Sequence, residues 1–192
     1  MKLSDLDITK TYSYADYLTW QFQERVELIK GKLFKMSPAP SRQHQKISRN
    51  LATAIGVYFE DKPCEYYAAP FDVRLATKDE RDNEILTVVQ PDLCVICDSN
   101  KLDDKGCLGA PDWIIEILSP GNSKKELKNK YKIYEESGVK EYWLVHPSES
   151  TVFIYVLKNG EFVGLQPVTE DEIVSPTLFH SLTIDLHKIF NN

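Results

Sequence analysis

A carboxylate lies in the middle of the most apolar segment of this chain. The segment 113-WIIEILS-119 has the composition of a buried β-strand, and Glu116 interrupts its run of Trp, Ile and Leu residues. A buried charge without a partner is so costly that such a group normally pairs with an opposite charge, binds a cation or takes up a proton. The partners of Glu116 therefore constrain both the fold and the function.

Length and composition are those of a globular protein. The chain has 192 residues, of which 42% are hydrophobic and 27% are charged, and this suits a single domain over residues 1–192. No apolar run approaches the ~20 residues of a membrane span, and the N-terminal MKLSDLDITKTYSY lacks the apolar core of a signal peptide. We therefore expect a cytoplasmic protein that does not bind membranes.

The four cysteines raise the possibility of a metal site, because Cys94 and Cys97 form a CxxC pair. The pair lies in the apolar segment LCVIC, which is typical of a strand, and residues three apart on a strand face opposite sides. A structural zinc site usually takes two cysteines from a tight turn and needs a second pair of ligands. Buried free thiols are therefore the better interpretation, and it extends to Cys64 and Cys107.

Two basic clusters stand out in a chain whose net charge is −6. The overall charge argues against a surface coated for non-specific nucleic-acid binding, but not against local patches. The first cluster is Arg42, Lys46 and Arg49, which could contact a DNA backbone. The second is Lys124, Lys125, Lys128, Lys130 and Lys132. A solvated helix face would explain most of these lysines.

Periodicity and turn residues predict an order of helices and strands. The predicted helices are a short one at 14–20, one at 43–60, and one from Ser123 to about Ser137 that Gly138 ends. The predicted strands are the hairpin 26–37 with Lys30-Gly31 at its turn, then 65–76, 88–98, 111–119, 140–147 and the hairpin 151–163, with a short strand and a helical turn in TIDLHKIF. This order predicts an α/β or α+β domain around a mixed sheet.

The hairpin geometry gives Glu116 a partner. If strands 88–98 and 111–119 are antiparallel neighbours across their connecting loop, Asp98 opposes Ala110, and in the same register Asp92 opposes Glu116. Opposed residues have Cβ atoms ~4.5–5.5 Å apart, so the two carboxylates repel each other strongly. A bound divalent cation removes that conflict, and oxygen ligands suit Mg²⁺ or Mn²⁺.

A lysine on the next helix points toward the same place. On a helical wheel Leu127 and Tyr134 lie on the inward stripe, Lys130 lies beside them, and Lys128 points away. An inward lysine near two carboxylates fits a structural ion pair. It equally fits an active site, in which the ammonium group positions a water and stabilises developing phosphate charge.

These residues carry a family resemblance. Pro91-Asp92, then Glu116-Ile117-Leu118, with Lys130 on the following helix, resembles the PD-(D/E)XK nuclease superfamily. More narrowly, the chain resembles the Uma-two family of restriction endonucleases. The segments that carry this likeness are VELIKGKLFKMSPAPSRQHQKIS, APFDVRL, VVQPDLCVICD, KLDDKGCLGAPDWIIEILSP and KYKIYEESGVKEYWLVHP.

The resemblance implies a restriction-endonuclease-like αβββαβ core with a mixed central sheet and additional N-terminal and C-terminal β-hairpins. It also implies a DNA endonuclease that uses Mg²⁺ (or Mn²⁺) and no small-molecule cofactor. Asp92, Glu116 and the backbone carbonyl of Ile117 would bind the metal, and Lys130 would orient or help deprotonate the attacking water. Leu118 stands where the superfamily usually has its lysine; the Uma-two family places that lysine on the next helix, which Lys130 matches. A homodimer is expected by analogy.

Three further residues are secondary candidates, each with a structural alternative. Glu27 matches a family position in the active-site cleft, and the alternative is a surface charge. His44 lies on the inward stripe of the first long helix and is either a satisfied core histidine or a phosphate contact or cleft hydrogen bond. Asp72 either lies near the cleft or merely ends a strand. Four other residues are predicted to be structural: Tyr142 and Trp143 in the core, and Asp112 and Glu141 as strand-end charges.

Two other functions compete with a nuclease. A non-catalytic DNA-binding or interaction protein could keep the nuclease fold, although the retained acids Asp92 and Glu116, with Lys130, argue against it. A different hydrolase could use the acid pair for acid–base chemistry. A glycosidase would need carboxylates ~5–9.5 Å apart in an open cleft lined by aromatic residues, and the sequence singles out no such cleft.

Overall fold

The computed structural model describes residues 3–21, 24–36, 40–119 and 124–191, apart from the side chains of Ser4 and Lys125. The helices of the described ranges are α1 (Tyr14–Tyr17), α2 (Arg42–Phe59), α3 (Lys124–Ser137) and α4 (Leu186–Asn191), with 3-10 turns at Leu3–Asp5 and Ser99–Lys101. The predicted long helices are confirmed, and Gly138 follows α3 with a φ of 84°, which suits a helix C-terminus. The predicted helix start at Ser123 lies outside the described residues.

Short strands make up most of the remaining structure. They are β1 (Val26–Ile29), β2 (Lys32–Lys35), β3 (Glu65–Ala68), β4 (Val73–Arg74), β5 (Val88–Val89), β6 (Leu93–Ile96), β7 (Leu102–Asp103), β8 (Gly106–Leu108), β9 (Trp113–Ile117), β10 (Glu141–His146), β11 (Thr151–Lys158), β12 (Glu161–Gly164), β13 (Val168–Thr169), β14 (Ile173–Val174) and β15 (Ile184–Asp185). The predicted hairpins appear as β1–β2 and β11–β12.

The main sheet carries the predicted αβββαβ core. Its strand order is β12-β11-β10-β9-β6-β3, with β13 beside β11. Strands β3, β6 and β9 are antiparallel neighbours, and β10 runs parallel to β9 because α3 crosses over between them. In chain order this is α2, β3, β6, β9, α3, β10, so the expected mixed sheet in an α+β fold is confirmed.

A second sheet, of order β2-β1-β5-β4-β8-β7, corrects two predicted strands. The segments 65–76 and 88–98 are not single strands, because each one breaks and changes sheet. Pro70 and Pro91 lie at the breaks, where the missing N–H prevents a continuous ladder. The predicted loop 99–110 also contains β7 and β8. The N-terminal hairpin therefore belongs to a second sheet that packs near the first.

Alternation along β9 explains where Glu116 points. Trp113, Ile115 and Ile117 pack in the core on the side of α2 and α4, whereas Ile114 packs in the core that includes α3 and the second sheet. Side chains two apart share a face of a strand, so Glu116 points with Ile114 toward α3. The predicted core positions of Tyr142 and Trp143 are confirmed, since both side chains are buried.

The prediction of four buried free thiols is correct for two cysteines and wrong for the other two. Cys64 and Cys97 form a disulfide, whereas Cys94 and Cys107 are buried free thiols as predicted. Cys94 packs on the α3 side of the main sheet and Cys97 on the α2 side, so the expected opposite orientation is confirmed. The disulfide was missed because Cys64 meets Cys97 only after β3 pairs with β6.

Asp112 and Glu141 lie at strand ends as predicted, but they are not ordinary charges there, because both carboxylates are buried. Glu141 accepts hydrogen bonds from Trp143 Nε1 (2.6 Å), and from the backbone N–H groups of Thr177 (2.8 Å) and Leu178 (3.3 Å). Asp112 accepts from the backbone N–H of Cys97 (2.7 Å) and from Lys140 Nζ (2.6 Å). Segments distant in sequence cover these strand ends.

Replacing Glu141 with glutamine tests this buried carboxylate. Burial raises the pKa of Glu141 above its usual 4.5. The folded protein therefore holds this proton more tightly than the unfolded chain does. The stability that this proton contributes is fully present below pH 4.5 and is lost as pH rises through the folded-state pKa. We expect Glu141→Gln to lower the free energy of unfolding near the usual pKa by about 1–3 kcal/mol, because an amide NH₂ then faces N–H donors. The difference from wild type should narrow as pH rises.

Urea unfolding across a pH series measures that difference. Glu149→Gln is the matched control, because Glu149 is exposed on a turn, and its stability should follow that of wild type. A difference for Glu141→Gln that widens with pH would contradict the assignment.

Candidate active site

Asp92 and Glu116 lie side by side, in the register that the sequence predicts. The pairs Leu93–Ile115 and Val95–Trp113 fix the alignment of β6 with β9, which places Asp92 opposite Glu116. The backbone N–H of Ile117 donates to Asp92 Oδ2 at 2.8 Å. An open cleft reaches both carboxylates; its lining includes Arg25, His44, Gln90, Asp92, Glu116 and Lys130.

Lys130 joins this pair from α3. Its Nζ lies 2.8 Å from Glu116 Oε1 and 3.0 Å from Glu27 Oε1, and Tyr134 Oη donates to the same Glu116 oxygen at 2.6 Å. Lys130 is only 5% exposed and Glu27 only 2%. The inward orientation of Lys130 is thus confirmed, and the surface-charge alternative for Glu27 is wrong. Both predicted alternatives for Lys130 remain compatible with this geometry, because the ion pair lies within the cleft.

Burial dominates the electrostatics of Glu116. It raises the pKa of Glu116 to about 7, with Lys130 opposing that rise and the neighbouring Asp92 and Glu27 charges adding to it. Burial also disfavours the charge on Lys130, but Glu116 and Glu27 outweigh it and hold the pKa of Lys130 well above its usual value. Lys130 is therefore an ammonium at neutral pH, shared by two carboxylates.

His44 lies in the first turn of α2 and faces Asp92. Ser41 caps this helix by accepting a hydrogen bond from the backbone N–H of His44. The ring Nε2 lies 3.3 Å from Asp92 Oδ2. Burial lowers the pKa of His44, but the hydrogen bond and charge of Asp92 and a hydrogen bond with the backbone of Ile117 raise it above the usual value. His44 therefore fits the predicted cleft hydrogen bond, and because its ring is buried and contacts Asp92 it equally fits the predicted satisfied core histidine.

Asp72 does not reach the two central carboxylates. It directly precedes β4, and its Oδ1 accepts from Gln90 Nε2 (2.7 Å) and Tyr17 Oη (3.2 Å). It lines a neighbouring cavity, which shares Gln90 with the cleft. Asp72 thus does not line the cleft itself, and it contacts the cleft residue Gln90. The basic residues Arg42, Lys46 and Arg49 are absent from the cleft lining.

Sequence reasoning missed Arg25 and Gln90, which also line the cleft. The backbone N–H of Gln90 donates to Glu27 Oε1 at 2.9 Å, and its side-chain Oε1 accepts from Arg25. The available signal was position alone: Gln90 directly precedes Pro91-Asp92, and Arg25 directly precedes the first hairpin.

Comparison with known proteins classifies the chain. Residues 14–187 match the Uma2 family, whose description is “Putative restriction endonuclease”. The chain belongs to the Uma2 family. This confirms the family resemblance, and it places the protein in a nuclease-like family.

Two relatives of this Uma2 protein span nearly the whole chain. A crystal structure from Anabaena variabilis, described as a “putative nuclease belonging to DUF820”, shares the fold with a TM-score of 0.72 and 22% identity, covering 93% of this chain and 97% of that one. “Uncharacterized protein slr1290” from Synechocystis sp. is 21% identical over 178 residues, covering 91% of this chain and 90% of the relative. Within the described residues, no helix of the Uma2 protein has both the length and the apolar composition to span a bilayer.

The donor set of this Uma2 site fits a hard divalent cation. Glu27, Asp92 and Glu116 supply carboxyl oxygens around one lysine and one histidine. Among the residues that the structure describes, no group of three or more His, Cys, Asp or Glu side chains is placed to hold a metal ion, so a cation here would rest on fewer protein ligands. Mg²⁺ commonly binds through one or two carboxylates and keeps several waters, whereas structural zinc needs four protein ligands.

Proposed function

We propose that this Uma2 protein is a Mg²⁺-dependent DNA endonuclease that hydrolyses phosphodiester bonds. One observation carries the proposal: Asp92 and Glu116 oppose each other in an open cleft, and the Lys130 ammonium contacts the Glu116 carboxylate at 2.8 Å. Paired carboxylates with a cation beside them are the parts that metal-assisted phosphodiester hydrolysis requires. The family match supports the reaction class.

Asp92, Glu116 and the backbone carbonyl of Ile117 are the residues that we propose hold the ion, with Mn²⁺ as a substitute. When bound, the ion would polarise the scissile phosphate and stabilise the leaving oxygen. The three proposed ligands lie on or beside two adjacent strands, β6 and β9. The hydrogen bond from the Ile117 N–H holds the Asp92 carboxylate in place, so the ligands keep their spacing. Such pre-organisation is what a metal-dependent site needs.

Lys130 acts as a donor in this proposal, not as a base. Because Glu116 and Glu27 hold its pKa well above the usual value, Lys130 keeps its proton and orients the attacking water or stabilises phosphate charge. Glu27 holds the ammonium group as a second carboxylate, at 3.0 Å. His44 holds Asp92 from α2 and offers a donor at the cleft.

One observation favours the alternative of a non-catalytic DNA-binding protein. The Lys130 ammonium already compensates Glu116 at 2.8 Å, as a purely structural ion pair would.

Two expectations from the sequence also stay predictions: that residues 1–192 form one domain, and that the protein works as a homodimer.

A plasmid-nicking assay separates the two functions. Wild type incubated with supercoiled plasmid is expected to nick it in Mg²⁺ or Mn²⁺ and not in excess chelator. The control is Asp92→Asn, which is nearly isosteric and should be inactive under the same conditions. Equal nicking by wild type and Asp92→Asn would identify a contaminant. Absence of nicking by wild type with either metal would favour the non-catalytic alternative.

A further inference from the structure

Arg25 stands at the rim of the cleft with a fixed orientation. It directly precedes β1, is exposed, and lines the same cavity as Asp92 and Glu116. Its guanidinium donates twice to one acceptor, Gln90 Oε1, from Nε at 3.0 Å and from Nη2 at 2.7 Å. A long, exposed side chain is thereby held in one place.

The charge of Arg25 has no carboxylate partner among the residues that the structure describes. The other two basic residues of the cleft each face acids: Lys130 contacts Glu27 and Glu116, and His44 contacts Asp92. Arg25 instead contacts a neutral amide. An arginine carries five N–H donors, and the contacts to Gln90 use two of them. Arg25 thus presents an uncompensated positive charge and free donors at the mouth of the cleft.

Gln90 is itself held in place by its surroundings. Its backbone N–H donates to Glu27 Oε1 at 2.9 Å, and its Nε2 donates to Asp72 Oδ1 at 2.7 Å and to Tyr17 Oη at 3.2 Å. Because these bonds occupy the amide nitrogen, the amide oxygen faces Arg25. Asp72 and Tyr17 therefore determine the orientation of Arg25 through Gln90.

We propose that Arg25 binds a backbone phosphate of the nucleic acid, adjacent to the phosphate that is cleaved, and that Gln90 is its positioning residue. The proposal rests on the proposed nuclease function and deepens it. The central carboxylates repel a phosphate backbone, so the substrate needs a cation that no acid of the site neutralises. The planar guanidinium fork matches phosphate geometry with two donors at once.

Binding and salt dependence test this assignment. Affinity for a short fluorescein-labelled DNA duplex is measured by fluorescence anisotropy in excess chelator, so that no cleavage occurs, over a range of salt concentrations. Arg25→Ala should weaken binding by about tenfold or more, as for a lost hydrogen bond to a charged group. The slope of log affinity against log salt should fall by about 0.9, the loss expected for one duplex phosphate contact.

Three variants separate phosphate binding from other effects. Arg25→Lys keeps the charge without the fork, so it should keep the salt slope while binding more weakly than wild type. Gln90→Ala should do the same, because it frees the arginine without removing its charge. Arg81→Ala is the control: Arg81 is an exposed arginine paired with Glu84 on a loop, and its loss should leave affinity and slope unchanged.

The outcomes distinguish this proposal from the nuclease proposal. Wild-type affinity and slope in Arg25→Ala, in a protein that nicks plasmid, would overturn the role of Arg25 and leave the nuclease intact. Arg25-dependent binding without nicking in either metal would support Arg25 and remove the nuclease function. Wild type that does not bind the duplex at all would overturn the assignment of Arg25.

Discussion

Replacing Lys130 with methionine is expected to lower the free energy of unfolding of the metal-free protein by about 3–5 kcal/mol, the usual cost of leaving buried charges without their partner. Methionine preserves most of the volume and flexibility of the side chain. Its loss of charge leaves Glu27 and Glu116 facing each other without the ammonium group that both contact. Urea unfolding in chelator measures the effect.

Lys128→Met is the matched control for this change. Lys128 lies on the same helix and is exposed, so its loss should change stability by less than about 0.5 kcal/mol. Added Mn²⁺ should restore part of the stability lost in Lys130→Met, because a cation again lies among the acids. Equal stability of the two variants would show that the Lys130 ion pair contributes nothing to the fold.

Replacing Glu116 with glutamine is expected to reduce plasmid nicking by more than about a hundredfold, since even residues behind metal ligands cost 10- to 100-fold when mutated. Lys130 and Tyr134 both donate to Oε1, so the amide oxygen can take that position and the NH₂ group, which cannot bind a cation, replaces the other carboxylate oxygen. Mn²⁺ binding by titration calorimetry should be lost in parallel. The fold should persist, because Glu27 still pairs with Lys130.

Glu136→Gln controls for the loss of a carboxylate elsewhere. Glu136 forms surface ion pairs with Lys30 and Lys132 and lies outside the cleft lining, so nicking and metal binding should match wild type. A Glu116→Gln protein that retains wild-type nicking and binds Mn²⁺ normally would exclude Glu116 as a ligand.

Periodic patterns predicted the relative positions of Asp92, Glu116 and Lys130. The antiparallel register of Asp92 with Glu116 follows from the loop between two apolar segments, and the inward direction of Lys130 follows from the helical wheel. Both inferences need only local geometry, with a period of two for strands and 3.6 for helices. Within the described residues, the αβββαβ order emerged for the same reason.

The failures concern contacts between segments far apart in sequence. Glu141 is buried because residues 177 and 178 cover it, and Cys64 reaches Cys97 through strand pairing. Neither covering segment has a local pattern that predicts where it docks. Arg25 and Gln90 are 65 positions apart, so no motif spacing joins them.

The two broken strands have a different cause. Alternation and β-propensity made 65–76 and 88–98 look continuous, although each contains a proline that cannot donate to a ladder. The apolar residues on both sides of each proline are indeed in strands, but in different sheets. Pro70 and Pro91 are local signals for the two breaks, but neither proline indicates that the chain enters a second sheet.

Between residues 90 and 92 the chain passes from the second sheet to the main sheet, and both ends of this short segment are held by hydrogen bonds. Gln90 bonds Glu27 in the second sheet, whereas two residues later Asp92 bonds both Ala69 and Ile117 in and beside the main sheet. One added or removed residue would turn Asp92 to the opposite face, since strand side chains alternate. We therefore expect an insertion between Gln90 and Asp92 to disrupt the site, whereas an insertion in the turns of 77–84, outside both sheets, should leave it intact.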